Sequence, residues 1–159
     1  MTLWGALAGG LVGTVLLSTT VRLAQEIGVT RMDIPLLLGT AFTENRSRAN
    51  LIGYGVHFVN GLVFSLVYAG VFEATGRTGW LFGAGLGLVH GLFAGGVLVN
   101  VLLPALHPRM GTSWTDASAT PLLEPPGFLL LNYGRHTVLV TLLGHVAYGT
   151  IVGAFAAGL

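Results

Sequence analysis

The sequence has no cysteine and no lysine, and only 8% of its residues are charged. Without cysteine there are no disulfides and no thiolate metal sites, although the absence names no compartment. With so little charge the chain cannot cover a water-facing surface, because soluble domains carry about 25% charged residues. A formal net charge of +1 supplies no basic field for nucleic acid. No P-loop, no dinucleotide fingerprint and no Ser–His–Asp order is present, so the reading is non-catalytic. What fills the chain instead is apolar: 53% of the 159 residues are hydrophobic, and the mean hydropathy is +0.79. Such a surface needs lipid as its solvent.

A hydrocarbon core about 30 Å thick takes roughly 20 apolar residues of helix. Four stretches qualify, at about Leu3 to Val21, Leu51 to Phe72, Trp80 to Leu103 and Thr137 to Ala157. The first has no positive residue ahead of its apolar run, the reverse of a secretory signal, and is expected to be a retained membrane helix. The expected fold is therefore an all-α, antiparallel four-transmembrane-helix bundle forming one membrane domain, 1–159.

The connections carry the orientation. Arg22, Arg31, Arg46 and Arg48 lie in the first, Arg77 in the short second, and Arg109 and Arg135 in the long third, 104–136. The arginine excess of the first and third connections makes them cytoplasmic and puts both termini outside. Trp4 and Trp80 would then mark the outer interface, and Trp114, Tyr54 and Tyr133 the inner one. Asp33 is placed to cap a short interfacial helix over 33–42, where Ile34, Leu37, Leu38, Ala41 and Phe42 follow helical spacing. The stretch 127–131 (GFLLL) is expected to touch lipid or protein. Glu73 and Arg77, four apart, read as a surface pair. Ser18, Thr19 and Thr20 are expected to hydrogen-bond back to their own helix.

Small residues four apart allow helices to approach closely in lipid, where the usual hydrophobic drive is missing. Such ridges recur on all four helices: Gly5, Gly9 and Gly13; Gly53, Gly61 and Ser65; Gly83, Gly87, Gly91 and Gly95; and Gly149, Gly153 and Ala157. They pack a tight bundle or offer a surface to another subunit. A bundle this small and this close is not expected to enclose a large cavity.

Histidine falls on or beside these ridges. Counting helical rise from the cytoplasmic edge puts His57 roughly 9 Å deep, His145 about 13 Å and His90 about 19 Å. Asn60 and Tyr148 sit one turn from His57 and His145 on the same faces. His107, His136 and Asn100 are expected at the cytoplasmic mouth, and His107 with Asp116 and Glu124 makes a second polar group of residues there. Polar groups at membrane depth are costly and turn inward, which points to function. A neutral histidine bonded across helices serves equally as structural glue. If the residues are functional, three chemistries suit them. Haem could be ligated by His90 and His145, a divalent metal by His57, His90 and His145, and a proton or small solute could follow the file.

The stretches MDIPLLLGTAF, HFVNGLVFSLVYAGVF and GHVAYGTIVGAF resemble small bacterial four-helix integral membrane proteins of the YagU-like, domain-of-unknown-function type. The resemblance implies the four-helix topology and draws interest to His57 and His145; it brings no activity. Taken together, the sequence reads as a small accessory or stabilising subunit of a larger bacterial membrane complex, or as a homo-oligomer, in the cytoplasmic membrane. A small transporter or channel using the histidine file, and a haem- or quinone-associated electron-transfer subunit, are the alternatives.

Overall fold

The computed structural model describes residues 3–110 and 123–158, and these are helical apart from turns and one isolated β-bridge between Met110 and Leu123. Trp114 and Asp116 lie outside the described residues. Four helical stretches are long and apolar enough to cross a membrane: Leu3–Glu26, Arg46–Thr75, Trp80–Leu106 and Thr137–Ala157. The first is α1. The helix α2 (Ile34–Gly39) precedes α3 (Arg46–Thr75), and α4 (Trp80–Phe93) runs through a π-helical stretch, Ala94–Leu102, into α5 (Leu103–Leu106). A 3-10 turn, Phe128–Tyr133, then leads to α6 (Thr137–Ala157).

The helices outrun the apolar stretches at three of their four ends on the α2 side, where local polar and backbone contacts, not hydropathy, set the boundary. α1 continues to Glu26, where Arg22 Nε pairs with the Glu26 carboxylate at 2.9 Å. α3 begins five residues earlier than its apolar run, where the Asn45 side chain accepts from the Arg48 N–H at 3.0 Å. It ends at Gly76, whose φ of 64° is a left-handed cap that glycine adopts without strain. That cap breaks the helical register between Glu73 and Arg77, so the expected pair does not form; the ion pairs among the described residues are Arg22–Glu26, Arg31–Glu124 and Arg109–Glu44.

The third span continues through Pro104 to Leu106; proline brings no N–H to the preceding turn, and the π-helical stretch leads directly into it. That stretch begins at Ala94, and Leu129 and Phe128 pack against Gly95 and Gly96 in its first turn. Leu129 and Leu130 hold left-handed φ values of 51° and 63°, a costly conformation for leucine. Buried Leu130 joins Leu17, Val21 and Met32 in an apolar cluster, so this part of the GFLLL stretch meets protein, while Phe128 and Leu131 stay exposed.

Asp33 caps α2 as expected, accepting from the Leu36 N–H at 3.1 Å. The helix is shorter than the expected 33–42, ending at Gly39, and Phe42 is exposed. α2 lies against the first turns of α3: Gly39 stands on the Ala49 carbonyl and Gly53 on the Pro35 carbonyl, both too close to admit a side chain.

Glycine contacts set the order of the long helices, α3 beside α1, α1 beside α6, and α6 beside α4. Gly10 meets Ser65 and Gly61 meets Thr14 between α1 and α3; Gly9 meets Val152 and Phe155, and Gly13 meets Tyr148, between α1 and α6. Gly83 and Gly87 press on Gly149 and His145, with the Gly79 N–H donating to the Gly153 carbonyl at 3.2 Å. Gly91 and Gly95 do not continue that line evenly: Gly91 meets the His145 side chain, and Gly95 meets Leu129. Trp4 and Trp80, both exposed, fall at the end where Gly9 and Gly79 meet the last turns of α6. At the other end Thr30 and Thr137 share a buried hydrogen bond of 2.6 Å, and the Arg31 N–H donates to the Tyr133 carbonyl.

A candidate binding cavity with a histidine floor

No comparable glycine seam joins α3 to α4. They meet through large side chains, Phe64 stacking on His90 with ring centroids 3.9 Å apart. Towards the α2 end this separation leaves a cavity of about 340 Å³ between α1, α3, α4 and α6, with α2 and Leu130 at its lower wall. The cavity is half open, with Leu102 and Leu106 exposed on its wall, and it exists because the close ridges bind three helix pairs and leave the fourth apart.

Most of the cavity wall is aliphatic, with Leu17, Val21, Leu98, Leu102 and Leu106 among its side chains. One group of polar residues converges at the end away from the charged rim. His57, Asn60, His90, His145 and Tyr148, the five residues singled out in the sequence, all line it. The depth count separated His90 from His145 by more than a turn; in the fold their rings touch edge to face, centroids 4.7 Å apart. α4 and α6 run past one another, so residues at unequal counted depths lean together across the glycine seam.

Each ring is held differently. His145 Nδ1 lies 2.8 Å from the Thr141 carbonyl oxygen. A carbonyl only accepts, so Nδ1 carries the proton, and in the neutral ring Nε2 is a bare acceptor. His90 Nδ1 lies 3.4 Å from the Tyr68 hydroxyl, and Tyr68 and Tyr148 both stand edge-on to the ring. The Tyr148 hydroxyl donates to the Gly61 carbonyl, tying α6 to α3. His57 lines the same end of the cavity from α3.

Three contributors were not singled out beforehand. Tyr68 and Phe64 continue the face of His57 and Gly61 along α3, a spacing visible in the sequence. Ser18, expected to bond back to α1, does not: its Oγ is buried without a partner and lines the cavity. Thr14 and Thr20 do bond back, to Gly10 and Leu16. The contacts Gly10–Ser65 and Thr14–Gly61 set the register of α1 against α3, and one further turn brings Ser18 level with His57.

Past Tyr148 the cavity is stopped by packed aromatics. Tyr68 meets Tyr148 and Phe72 edge-on, and Phe72 packs on Phe82. At the other end Arg22, Gln25 and Asp33 line the rim, with Arg22 already engaged by Glu26 and Gln25.

The other expected groupings do not assemble. His107 is buried against α2, its Nε2 3.0 Å from the Leu37 carbonyl and its Nδ1 accepting from the Arg109 N–H at 3.1 Å. Burial holds its pKa below the ordinary 6.5. His136 is exposed at the start of α6, and the Asn100 amide donates to the Gly95 carbonyl within its own helix. Glu124 pairs with Arg31, not His107. Among the described residues no three histidine or carboxylate side chains are placed to hold a metal ion. Rings in direct contact also leave no slot for a flat macrocycle, so His90 and His145 as placed here do not form a haem-ligating pair.

No family model, no curated protein and no solved structure matches the chain.

Proposed function

We propose that this protein is a non-catalytic, four-span integral membrane protein of the bacterial cytoplasmic membrane that holds a small, largely apolar molecule in the cavity between its helices. The observation that carries the reading is the cavity itself. It is aliphatic over most of its wall, with the unpaired Ser18 Oγ and the acceptor Nε2 of His145 at one end, the usual composition of a small-molecule site. Intramembrane polar groups are expensive to bury, and structural glue would leave them paired.

The accompanying architecture is an antiparallel bundle sealed by glycine ridges, with α2 in the cytoplasmic interface, the long connections cytoplasmic and both termini outside. The opposed numbering of the glycine contacts and the arginine distribution support it. Kinship with the YagU-like group belongs to the same proposal and rests on the three stretches already quoted. Binding is favoured over conduction because the aromatic layer of Tyr68, Phe72, Phe82 and Tyr148 stands across the path beyond the cavity.

One observation favours the accessory-subunit reading as a second role. Gly55, Gly70 and Gly85 have open space where a side chain would stand, leaving shallow grooves on the outer faces of α3 and α4 that suit a neighbouring helix.

Native mass spectrometry of the protein extracted from its own membrane tests both. A small organic adduct at fixed stoichiometry, lost in Ala94→Phe, which fills the cavity wall, supports binding. Co-purifying polypeptides at fixed ratio support the subunit role. A bare chain in wild type and variant alike overturns the binding reading.

A further inference from the structure

Resting on the cavity-binding reading, we infer that the ligand is a neutral hydroxyl compound, of the phenol or hydroquinol class, whose O–H donates to His145 Nε2 while its oxygen accepts from Ser18 or His57. Three observations lead there.

The first is a tautomer fixed by the backbone. His145 Nδ1–H is committed to the Thr141 carbonyl, so the atom offered to the cavity is an acceptor. A ligand with carbonyl oxygens alone, such as an oxidised quinone, would set acceptor against acceptor. A ligand without polar atoms would leave Nε2 unpaired. Only a molecule bringing a donor satisfies it.

The second is Ser18 Oγ, buried and without a partner, facing the same cavity from α1 one turn beyond the Thr14–Gly61 contact. A hydroxyl group gives one hydrogen bond and accepts two, so a single ligand O–H can meet His145 and also accept from Ser18. His57, whose ring no hydrogen bond among the described residues commits to either tautomer, can serve as the alternative donor.

The third is charge. Within the spans, no lysine, arginine, aspartate or glutamate stands at the depth of the three histidines, and the rim arginine, Arg22, is engaged by Glu26. A carboxylate or ammonium ligand would enter the membrane interior without a counter-ion, at high cost. The group recognised is therefore neutral. The aliphatic wall formed by Leu98, Leu102 and Leu106 takes the ligand's apolar body.

The test uses the full chain in phosphatidylethanolamine–phosphatidylglycerol nanodiscs, titrated calorimetrically against empty discs. The probes are 4-propylphenol, 4-propylanisole and propylbenzene, which share an apolar body and differ in the hydroxyl donor. The expected result is about tenfold tighter binding of the phenol than of either other probe, the size of one hydrogen bond to an otherwise unpaired buried group. In His145→Phe the preference for the phenol over the other two probes should be lost, with circular dichroism showing that the variant keeps its helices. Nitrogen NMR of the wild type needs no variant: the His145 Nε2 resonance should move on adding 4-propylphenol and stay in place with propylbenzene.

Equal affinity for the three probes, or an Nε2 resonance indifferent to the phenol, overturns the ligand class but leaves the cavity reading standing. If no probe binds either wild type or Ala94→Phe above the empty-disc blank, both fall.

Discussion

Replacing Gly149 by alanine tests the central packing claim with a single methyl group. That methyl would stand 2.8 Å from both the Gly87 Cα and N, and closer still to the Gly83 carbonyl oxygen. Ordinary contact begins at 3.4 Å, so α4 and α6 must part by at least about 0.6 Å along a seam where the obstructing atoms are backbone and cannot rotate away. Over-packing of a tight interior costs about 1–3 kcal/mol, and the immobility of these atoms puts the expectation at the upper end. Alanine returns up to about 1 kcal/mol through helix propensity, leaving a net loss of about 2 kcal/mol. The assay is reversible unfolding from mixed micelles by titration with a denaturing detergent, followed by circular dichroism. Gly85→Ala is the control, since open space surrounds that position on the facing helix α4; it should be neutral or slightly stabilising. The double variant Gly83→Ala/Gly149→Ala should cost less than the two singles together, because one separation of the helices relieves both clashes. Gly149→Ala indistinguishable from Gly85→Ala would refute the reasoning.

Three further outcomes follow from other contacts. Gly61→Ala should destabilise the fold because its new methyl would strike Thr14 Oγ1, and adding Thr14→Ala should recover part of the loss in the same unfolding assay. Asn45→Ala removes the cap on the Arg48 N–H and should cost about 1 kcal/mol, with faster hydrogen exchange confined to the first turn of α3. His107 makes the contact between α2 and α5 sensitive to acid: its folded pKa is held below 6.5 by burial, so above pH 6.5 both states are neutral and the contact is at full strength. As pH falls below 6.5 the unfolded chain takes up the proton first and stability is lost. The groups facing the ring are the Leu37 carbonyl, Thr40 and Arg109, which itself pairs with Glu44. Unfolding midpoints measured between pH 7.5 and 5 should fall for wild type and fall less steeply for His107→Gln.

The spans were legible because hydrocarbon thickness acts on composition, which a sequence displays directly. Their ends were not, because caps such as Asn45 and Gly76 act through backbone geometry independent of hydropathy. The short helix α2 was legible from Asp33 and its apolar spacing, but its early end at Gly39 was not. That end depends on Gly39 and Gly53 meeting the Ala49 and Pro35 carbonyls, contacts between segments that no local periodicity encodes. The π-helical stretch was equally hidden, since it pairs Gly95 and Gly96 with the strained turn at Leu129 and Leu130 some thirty residues on.

The candidate site divides along the same line. His57, Asn60, His90, His145 and Tyr148 stood out because polar side chains in an apolar helix are conspicuous, and all five do line one cavity. Ser18 did not stand out, because a serine in a membrane helix ordinarily closes on its own backbone, as Thr14 and Thr20 do here. The cavity was the least legible feature, yet the glycines explain it. Four ridges on four helices imply close packing all round only if every ridge faces a partner helix. In the fold Gly83, Gly87, Gly149 and Gly153 are used against one another, Gly9 and Gly13 against α6, and Gly10 and Gly61 between α1 and α3. None of these seams joins α3 to α4. There the gap is bridged by Phe64, Tyr68 and His90, and below them the helices are already too far apart to close. The tight seams and the open cavity thus have one cause, the assignment of small residues to three interfaces out of four.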